Sequence, residues 1–409
     1  MASVFGWVDF LEKDREKMVD VIRMFSEQDT RDELGLGSVR DAFSNLMFPG
    51  TSTIQTRAKY MLFIPWIYRE LEKQRTPSKD IYRKARNIEI SLIQPLLDSG
   101  DTDGVIGKEA REGLQRLPSS IYWAGLGVWG IRLFDGSQEE YHRYLDLFYR
   151  RKKEQLQLRG DDKEPVAGRV RENWDPGLPE PPAGFPKKAS LALSREEAEY
   201  LHEKIMLNCK DTLLAVLVNE KSTVTCDFIW MHPGLRSFPE YLREQVVHAR
   251  CFSEIMHGAA ILYNLMLAEK SGRQDLVKEY HDWLVEWKAM ISSRKNKFKT
   301  WNRERFWDIV LSAAEVTVRT RIFINMWIDL VLNENHFNRL PQDETARRLI
   351  VEREVALKRG RARLENQRYL ELWSGAAGTR QLNYRWNVVN TIVNDILNGL
   401  FNGRERKHA

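Results

Sequence analysis

An arginine and a histidine two helical turns apart are the residues best placed to do chemistry in this 409-residue chain. Arg250 and His257 fall within a helical pattern over residues 239–271, where 100° per residue places both side chains within about 20° of each other. Glu254 and Arg243 share this face, which points away from the apolar stripe of the helix. Histidine can move a proton and arginine can stabilise charge that builds on a phosphate. The pair is one candidate for phosphodiester cleavage.

The spacing resembles the R-x(4–6)-H signature of HEPN-type ribonucleases, in which paired helices join His and Arg around an RNA phosphate. Cys251 follows Arg250, whereas that family usually places a polar residue there. Arg243 and His248 fit the local form better, because Glu244 follows the arginine, but their side chains lie about 140° apart. The resemblance implies a metal-independent ribonuclease. A solvated or salt-bridged helix face is the alternative interpretation.

A second pattern on the same helix concerns metal binding. Glu254-x-x-His257 and Glu199-x-x-His202 match half of a di-iron carboxylate site, which needs two further helices that each supply one Glu. No helix offers that Glu at a convincing position. We therefore expect neither a metal nor another cofactor.

Two windows concentrate positive charge and interleave it with aromatic residues. Residues 294–305 hold six basic groups against one Glu, and residues 347–368 hold eight against three. Clustered Lys and Arg release counterions from a phosphate backbone, and flat aromatic rings can stack on unpaired bases. The alternative is that these long side chains solubilise an exposed face while Trp301 belongs to the core. The candidate nucleic-acid-binding residues are Lys295, Lys297, Lys299, Trp301, Arg303, Arg305, Lys358, Arg359, Arg361 and Arg363.

A third candidate is an anion clamp near the beginning of the chain. The segment GTST (50–53) precedes a predicted helix with basic residues in its first turn and a half, and free N–H groups at a helix start attract anions. The alternative is that Arg and Asp side chains brace the turn between two capped helices. The clamp would consist of Arg31, Arg40, Thr51, Ser52, Gln55 and Arg57.

Composition limits the class of protein. Apolar residues make up 43% of the chain and the net charge is +5, which fits globular cores and excludes a histone-like polycation. Three cysteines without a C-x-x-C pair give no disulfide framework or zinc site, so we expect small buried side chains. The N-terminus becomes charged too early for a signal peptide, and no uncharged run is long enough to span a membrane. We expect a soluble, cytoplasmic protein.

Apolar residues recur at helical spacing almost throughout, which predicts an all-α fold. Six prolines in residues 158–189 indicate a linker or surface strap between an N-terminal helical domain (1–157) and a C-terminal helical domain (190–409). Residues 222–230 are the only plausible strand material, enough for one short hairpin arm. The predicted helices cover residues 9–27, 38–47, 53–75, 77–98, 106–116, 119–133, 138–157, 195–220, 239–271, 274–292, 302–334, 341–365 and 385–401.

Several blocks together resemble a bacterial family of uncharacterised proteins, domain-of-unknown-function family 6361. They are DTRDELG (29–35), GSVRDAF (37–43), FPGTSTIQTRAKY (48–60), LPSSIYW (117–123), LWSGA (372–376) and YRW (384–386). The resemblance implies a setting in phage-defence gene neighbourhoods, beside helicase-like and phospholipase-D-like nuclease genes. It supplies no catalytic residues.

Together these observations favour an accessory, non-catalytic subunit of a bacterial anti-phage system. Its partners would be DNA or RNA, a helicase-like or nuclease protein, or both, with no membrane. The alternative is the ribonuclease that uses Arg250 and His257.

Overall fold

The structure is a computed structural model that describes residues 32–161 and 170–405. These residues form α-helices joined by loops and short 3-10 turns, without a β-strand among them, and one isolated β-bridge pairs Arg132 with Trp174. The all-α prediction is therefore confirmed. The predicted helix 9–27 and the clamp residue Arg31 lie outside the described residues.

The helices follow one another in two runs. The first run is α1 Gly37–Met47, α2 Tyr60–Lys73, α3 Ser78–Ser91, α4 Ile93–Asp98, α5 Pro118–Val128, α6 Gln138–Asp161, α7 Arg195–Asn208 and α8 Leu213–Leu217. The second run is α9 Glu240–Ser271, α10 Gln274–Ser293, α11 Lys295–Lys299, α12 Arg303–Ala313, α13 Val318–Leu332, α14 Glu334–Asn338, α15 Glu344–Lys358, α16 Gln367–Leu370 and α17 Trp386–Glu405. The 3-10 turns are Arg111–Gly113, Ile229–Met231, Pro233–Ser237, Leu340–Gln342 and Arg359–Arg361.

The chain divides into two compact units. The first unit comprises the described part of Met1–Phe43 together with Gln245–Leu382, and the second comprises the described parts of Ser44–Glu244 and Asn383–Ala409. Both flanks of the proline-rich segment belong to the second unit. The linear division into 1–157, 158–189 and 190–409 stays a prediction about folding domains, and it does not coincide with these units.

Several predicted helices are shorter than their sequence patterns. Residues 106–116 contain only a 3-10 turn, and the predicted strand segment 222–230 leads from loop into another 3-10 turn. The pattern over 302–334 divides into α12 and α13, since Ala314 is extended and the Thr317 hydroxyl caps the new helix by accepting the Thr320 N–H. A continuous apolar period does not reveal such a break.

The predicted helix 53–75 begins only at Tyr60. The N–H groups of Thr56 and Arg57 donate to the Tyr122 hydroxyl at 2.8 and 3.1 Å, and the Ala58 N–H donates to Asp395 at 3.0 Å. These side chains satisfy the backbone donors that a helix would otherwise use, so residues 53–59 form a loop.

The described residues of the proline-rich segment, 170–189, pack within the second unit. Trp174 is buried, and the Trp66 indole N–H donates to the Pro179 carbonyl at 2.6 Å. The Phe185 ring stacks on Phe63 with ring centroids 5.6 Å apart. Aromatic contacts thus fix this segment along α2.

Helix α9 is the core of the first unit. Between Gln245 and Ser271 only Val247, Glu269 and Lys270 are exposed. The indole N–H of Trp287 donates to the Glu254 carbonyl at 2.7 Å, and a Cβ on Gly258 would lie 2.3 Å from the same ring, so this close approach requires glycine. Neighbouring elements surround the helix on nearly all sides.

Helix α9 also has the length and hydropathy of a membrane span, but 89% of the relevant window is buried inside the protein. That burial is typical of the core helix of a soluble protein. No other helix among the described residues passes the same test.

Candidate nucleic-acid interface

The basic residues of 358–368 divide into a half-buried, paired set and an exposed set. In the paired set, the Glu33 carboxylate pairs with Lys358 and, at 3.0 Å, with Arg363. Glu354, which is fully buried, pairs with Lys358 at 3.0 Å and accepts a hydrogen bond from the Tyr263 hydroxyl. We call these five residues the anchor network. Two of the predicted nucleic-acid ligands, Lys358 and Arg363, are therefore engaged inside the fold.

The anchor network also holds backbone. The Glu354 carboxylate accepts the N–H groups of Arg363 and Leu364, each at 2.9 Å. Burial alone would raise the pKa of Glu354, but the hydrogen bonds from Tyr263 and Leu364 and the positive charge of Lys358 outweigh burial and lower that pKa. The carboxylate is therefore charged at neutral pH and holds the chain that leaves α15.

The exposed set lies on the turn that this network fixes. Arg359, Arg361 and Arg368 are exposed, and within residues 32–161 and 170–405 no carboxylate forms an ion pair with any of them. We call these three arginines the basic turn. Two hydrogen bonds close it: Ala362 N–H donates to the Arg359 carbonyl at 3.0 Å, and the Asn366 amide donates to the Gly360 carbonyl at 2.8 Å.

The backbone of Arg359 adopts a conformation that side chains rarely take, with φ at +52°. A left-handed conformation at a non-glycine residue costs about 1 kcal/mol or more, so surrounding contacts must offset it. Here the anchor network and the Asn366 amide do so. The result is a rigid turn that presents guanidinium groups to solvent.

The other basic window, 294–305, is also partly neutralised. Lys295 pairs with Glu334, and Arg303 pairs with Asp329 at 2.6 Å. Arg305 is exposed. Lys297 and Lys299 are exposed as well, without an ion pair in the part of the chain that the structure describes, and we call them the lysine pair.

The predicted base-stacking residue Trp301 is not accessible. It is 9% exposed, and its indole N–H donates to His248 Nδ1 at 2.7 Å. Phe298 is buried as well. The aromatic residues of this window belong to the core, which was the alternative interpretation of the sequence.

The two basic windows meet opposite ends of α13. Arg353, on the helix that precedes the basic turn, donates to the Thr320 hydroxyl at 2.8 Å, near the beginning of α13. Arg303 pairs with Asp329, near its end. Nine residues of helix separate these contacts by roughly 14 Å. The helix before the basic turn and the beginning of α12 thus contact α13 at different ends.

Arg250 and His257 are both engaged with other groups in the fold. Arg250 Nε donates to Glu254 at 2.7 Å, and Arg294 pairs with the same buried carboxylate. His257 Nε2 lies 2.9 Å from the Thr379 carbonyl, so this nitrogen carries a hydrogen and donates a hydrogen bond to the carbonyl oxygen. Burial lowers the pKa of His257 and outweighs the opposite effect of that hydrogen bond. The sequence placed Arg250 and His257 on a face that points to solvent, but both side chains are half-buried and bonded to other groups. A ribonuclease role stays a prediction.

The two Glu-x-x-His motifs do not form a metal centre. Glu254 forms ion pairs with Arg250 and Arg294. Glu199 pairs with Arg195 at 2.7 Å, and His202 Nε2 lies 2.8 Å from Asn219 Oδ1. Among the described residues, no group of three or more His, Cys, Asp or Glu side chains has the geometry to hold a metal ion.

The proposed anion clamp is a braced turn in the second unit. The Thr51 hydroxyl donates to Phe48, and the Gln55 amide connects the Ser52 N–H to the Gly50 carbonyl at 3.2 and 3.1 Å. These bonds use the Thr51 hydroxyl, the Ser52 N–H and the Gln55 amide, whereas the buried Ser52 hydroxyl has no hydrogen-bond partner among the described residues. The expected position of Gln55 in a first helical turn is wrong, because α2 begins later.

Arg57, the central cation of the proposed clamp, lies between two carboxylates. It pairs with Asp395 at 2.9 Å and Asp101 at 2.8 Å. Burial disfavours its charge, but these carboxylates outweigh burial and raise the pKa of Arg57. Arg40 belongs to the first unit, where it pairs with Asp41 at 3.0 Å. Arg40 and Arg57 are thus held by Asp side chains, which agrees with the alternative interpretation that Arg and Asp brace this turn.

Sequence reasoning missed Glu33, Tyr263 and Asn366, which organise the basic turn. The i,i+4 spacing of Glu354 and Lys358 was the one local signal. The contacts of Glu33 cross more than 300 residues of sequence, and no local pattern reports them.

A sequence model described as a family of unknown function (DUF6361) matches residues 2–399, nearly the whole chain. The chain belongs to this family. No curated protein and no solved structure is similar enough to match it. Family membership agrees with the resemblance noted from the sequence blocks, and it assigns no activity to the basic turn.

Proposed function

We propose that this protein is an accessory, non-catalytic subunit of a bacterial anti-phage system and that it binds the phosphate backbone of nucleic acid through the basic turn. The observation that carries the proposal is the division of charge at the end of α15. Lys358 and Arg363 are paired inside, while Arg359 and Arg361 point outward without a carboxylate partner among the described residues.

Rigidity favours binding by this turn. A guanidinium can make two parallel hydrogen bonds to one phosphate, and a fixed backbone reduces the conformational entropy that binding must overcome. Because Arg359 and Arg361 lie two residues apart on one turn, they suit neighbouring phosphates of an extended polyanion. A long polyanion can contact the lysine pair as well. The two basic windows contact different ends of α13, and a small anion is too short to reach both.

The setting rests on the family. The resemblance to this family implies a phage-defence gene neighbourhood, which supports a cytoplasmic protein that works beside a helicase-like or phospholipase-D-like nuclease partner. Arg250 and His257 are engaged with Glu254 and Thr379 rather than with each other. This arrangement favours a subunit that positions nucleic acid and leaves cleavage to the partner.

Charge reversal tests the proposal. We would measure the affinity of Arg359→Glu/Arg361→Glu for labelled single-stranded DNA, duplex DNA and RNA by fluorescence anisotropy over a series of salt concentrations. The matched control is Lys79→Glu/Arg116→Glu, which changes the net charge equally at two exposed positions of the second unit.

The proposal expects a loss of roughly tenfold or more for the basic-turn variant at about 0.1 M salt. On duplex DNA, the slope of log K against log salt should fall by about 0.9 for each lost phosphate contact, and by about 0.7 on single strands. Equal affinity of the wild type and the basic-turn variant for all three ligands would contradict the proposal. Equal losses in both double variants would show a general charge effect and would contradict it too.

A further inference from the structure

A groove that is open to solvent lies on the second unit, between α3, the beginning of α4 and the 3-10 turn Arg111–Gly113. Its volume is about 600 Å³, within the range of roughly 300–1,000 Å³ that is typical of small-molecule sites. Arg86 lines the groove from α3, and Arg111 lines it from the turn. We call it the arginine groove. It shares no residue with the basic turn or the lysine pair.

Hydrogen bonds hold both arginines in place without neutralising their charge. Arg86 donates to the carbonyls of Leu114 at 2.7 Å and Glu112 at 2.8 Å, and Arg111 donates to Gln94 Oε1 at 3.1 Å. Within residues 32–161 and 170–405, neither guanidinium forms an ion pair with a carboxylate. A guanidinium carries more N–H donors than these bonds use, so both arginines keep donors for a further acceptor.

Positive charge outweighs negative charge in the arginine groove. Glu112 is the one acidic residue among those that line it, and its side chain is exposed. Glu89 interacts electrostatically with Arg86, but it lies outside the lining of the groove. Half-buried cations are usually paired with an anion. Arg86 has no such partner in the described part of the chain, and an anion that enters the groove would supply one.

The position of Arg111 is fixed at the expense of backbone strain. Its φ is +50°, a conformation that is uncommon at non-glycine residues and that concentrates at turns and binding sites. The Arg111 N–H donates to the Gly107 carbonyl at 2.8 Å. Gln94, which accepts from the guanidinium, also donates its amide to Asp98 at 2.7 Å. Contacts on both sides of Gln94 therefore hold the Arg111 guanidinium at the groove.

The remaining lining suits a flat ring with polar edges. Ile90 and Ile93 give the groove an apolar wall. The exposed Asn87 amide also lines it and forms no side-chain hydrogen bond within the described residues. Such an amide can both donate and accept, which matches the mixed donors and acceptors along the edge of a nucleobase.

We propose that the arginine groove binds a small nucleotide, with its phosphate on Arg86 and Arg111 and its base against Ile90 and Ile93. Arginine suits this role because a guanidinium can make two parallel hydrogen bonds to one phosphate. The groove belongs to the second unit and the basic turn to the first. The inference is therefore independent of the proposed binding of nucleic acid.

Isothermal titration calorimetry of the full-length protein tests the proposal. The probes are AMP, GMP, CMP and UMP, each compared with its nucleoside. At about 0.1 M salt, we expect at least one nucleotide to bind roughly tenfold or more tightly than its nucleoside, because charge-assisted hydrogen bonds to the phosphate survive moderate screening.

Two substitutions should each weaken the binding of that nucleotide by roughly tenfold or more. Arg111→Asn removes a guanidinium, and asparagine tolerates the left-handed backbone of this position. Asn87→Asp places a negative charge in the groove without changing the size of the side chain. The matched controls, Arg116→Asn and Asn387→Asp, change exposed residues of the same unit outside the groove and should keep the affinity of the wild type.

Several results would overturn the proposal. They are an absence of binding by all four nucleotides, equal affinities for nucleotides and nucleosides, and groove variants that bind as tightly as their controls. Nucleotide binding that is lost in Arg359→Glu/Arg361→Glu, but kept in the groove variants, would assign the phosphate contact to the basic turn. Thermal unfolding reports whether each variant is folded, and Arg111→Gly replaces Arg111→Asn should the latter be unfolded.

Discussion

Buried Glu354 accepts the backbone N–H of Arg363 at 2.9 Å, so a single carboxylate on α15 fixes the chain that leaves the basic turn. The same carboxylate contacts Tyr263 and Lys358. The shape of an exposed surface therefore depends on an interior charge.

Removing that charge is expected to destabilise the first unit. Glu354→Gln keeps the size of the side chain but removes one of the two carboxylates that pair with Lys358 and weakens two backbone hydrogen bonds. We expect the free energy of unfolding to fall by about 2–4 kcal/mol in denaturant titrations. Glu352→Gln, on the exposed face of the same helix, is the control and should change stability by less than about 0.5 kcal/mol. An equal effect of the two substitutions would show that the anchor network contributes little.

Glu89 is expected to make stability depend on pH. Burial raises the pKa of Glu89 to about 7 and outweighs the hydrogen bonds from Ser119. A carboxyl with a raised pKa contributes stability below its unfolded value near 4.5, and this contribution is lost as the pH rises to about 7. Relative to the wild type, Glu89→Gln should therefore gain up to about 3 kcal/mol between these pH values. A difference that stays constant from pH 4.5 to 8, in thermal or denaturant unfolding, would show that the pKa is not raised.

Arg57 is expected to stabilise the second unit rather than bind an external anion. Arg57→Gln leaves Asp395 buried with a weaker partner, so the free energy of unfolding should fall by about 2–3 kcal/mol. Exposed Arg83→Gln is the control. Titration with inorganic phosphate checks the other interpretation. Phosphate that stabilises the wild type, but not Arg57→Gln, would restore the anion clamp.

RNA cleavage is expected to be absent. His257 donates a hydrogen bond to a backbone carbonyl and Arg250 is paired with Glu254, so both side chains are engaged away from a phosphate. We expect the purified protein to leave labelled RNA intact in EDTA, and His257→Ala to change thermal stability alone. Cleavage that is lost in His257→Ala but kept in His202→Ala would establish the ribonuclease alternative.

The sequence predicted helices well because most of them have a regular apolar period. It failed where side chains from elsewhere satisfy the backbone. The Tyr122 hydroxyl and the Asp395 carboxylate accept N–H groups of residues 56–58, which holds as loop a stretch that reads as helix. Local spacing carries no information about partners so distant in the chain.

Periodicity misjudged α9 for a related reason. Its polar residues Arg250, Glu254 and His257 lie on one face, as predicted from the angular spacing, but that face is covered. Arg294 and the Thr379 carbonyl occupy it. Hydrophobic spacing identifies the side of a helix that must be buried, and it does not exclude burial of the opposite side by polar partners.

The two basic windows illustrate what a charge count can predict. Counting located them, yet could not separate Lys358, which pairs with Glu33, from Arg359, which faces solvent one residue later. That distinction depends on an acidic residue from the other end of the chain.

The pairing of Lys358 with Glu33 spans 325 residues. During translation at about 5–20 residues per second, Glu33 leaves the ribosome tens of seconds before its partner is made. The early residues of the first unit must wait while the whole of Ser44–Glu244 is synthesised. The second unit is in the same position, because Arg57 pairs with Asp395 in its last helix. Each unit therefore closes on a segment that is made late in synthesis.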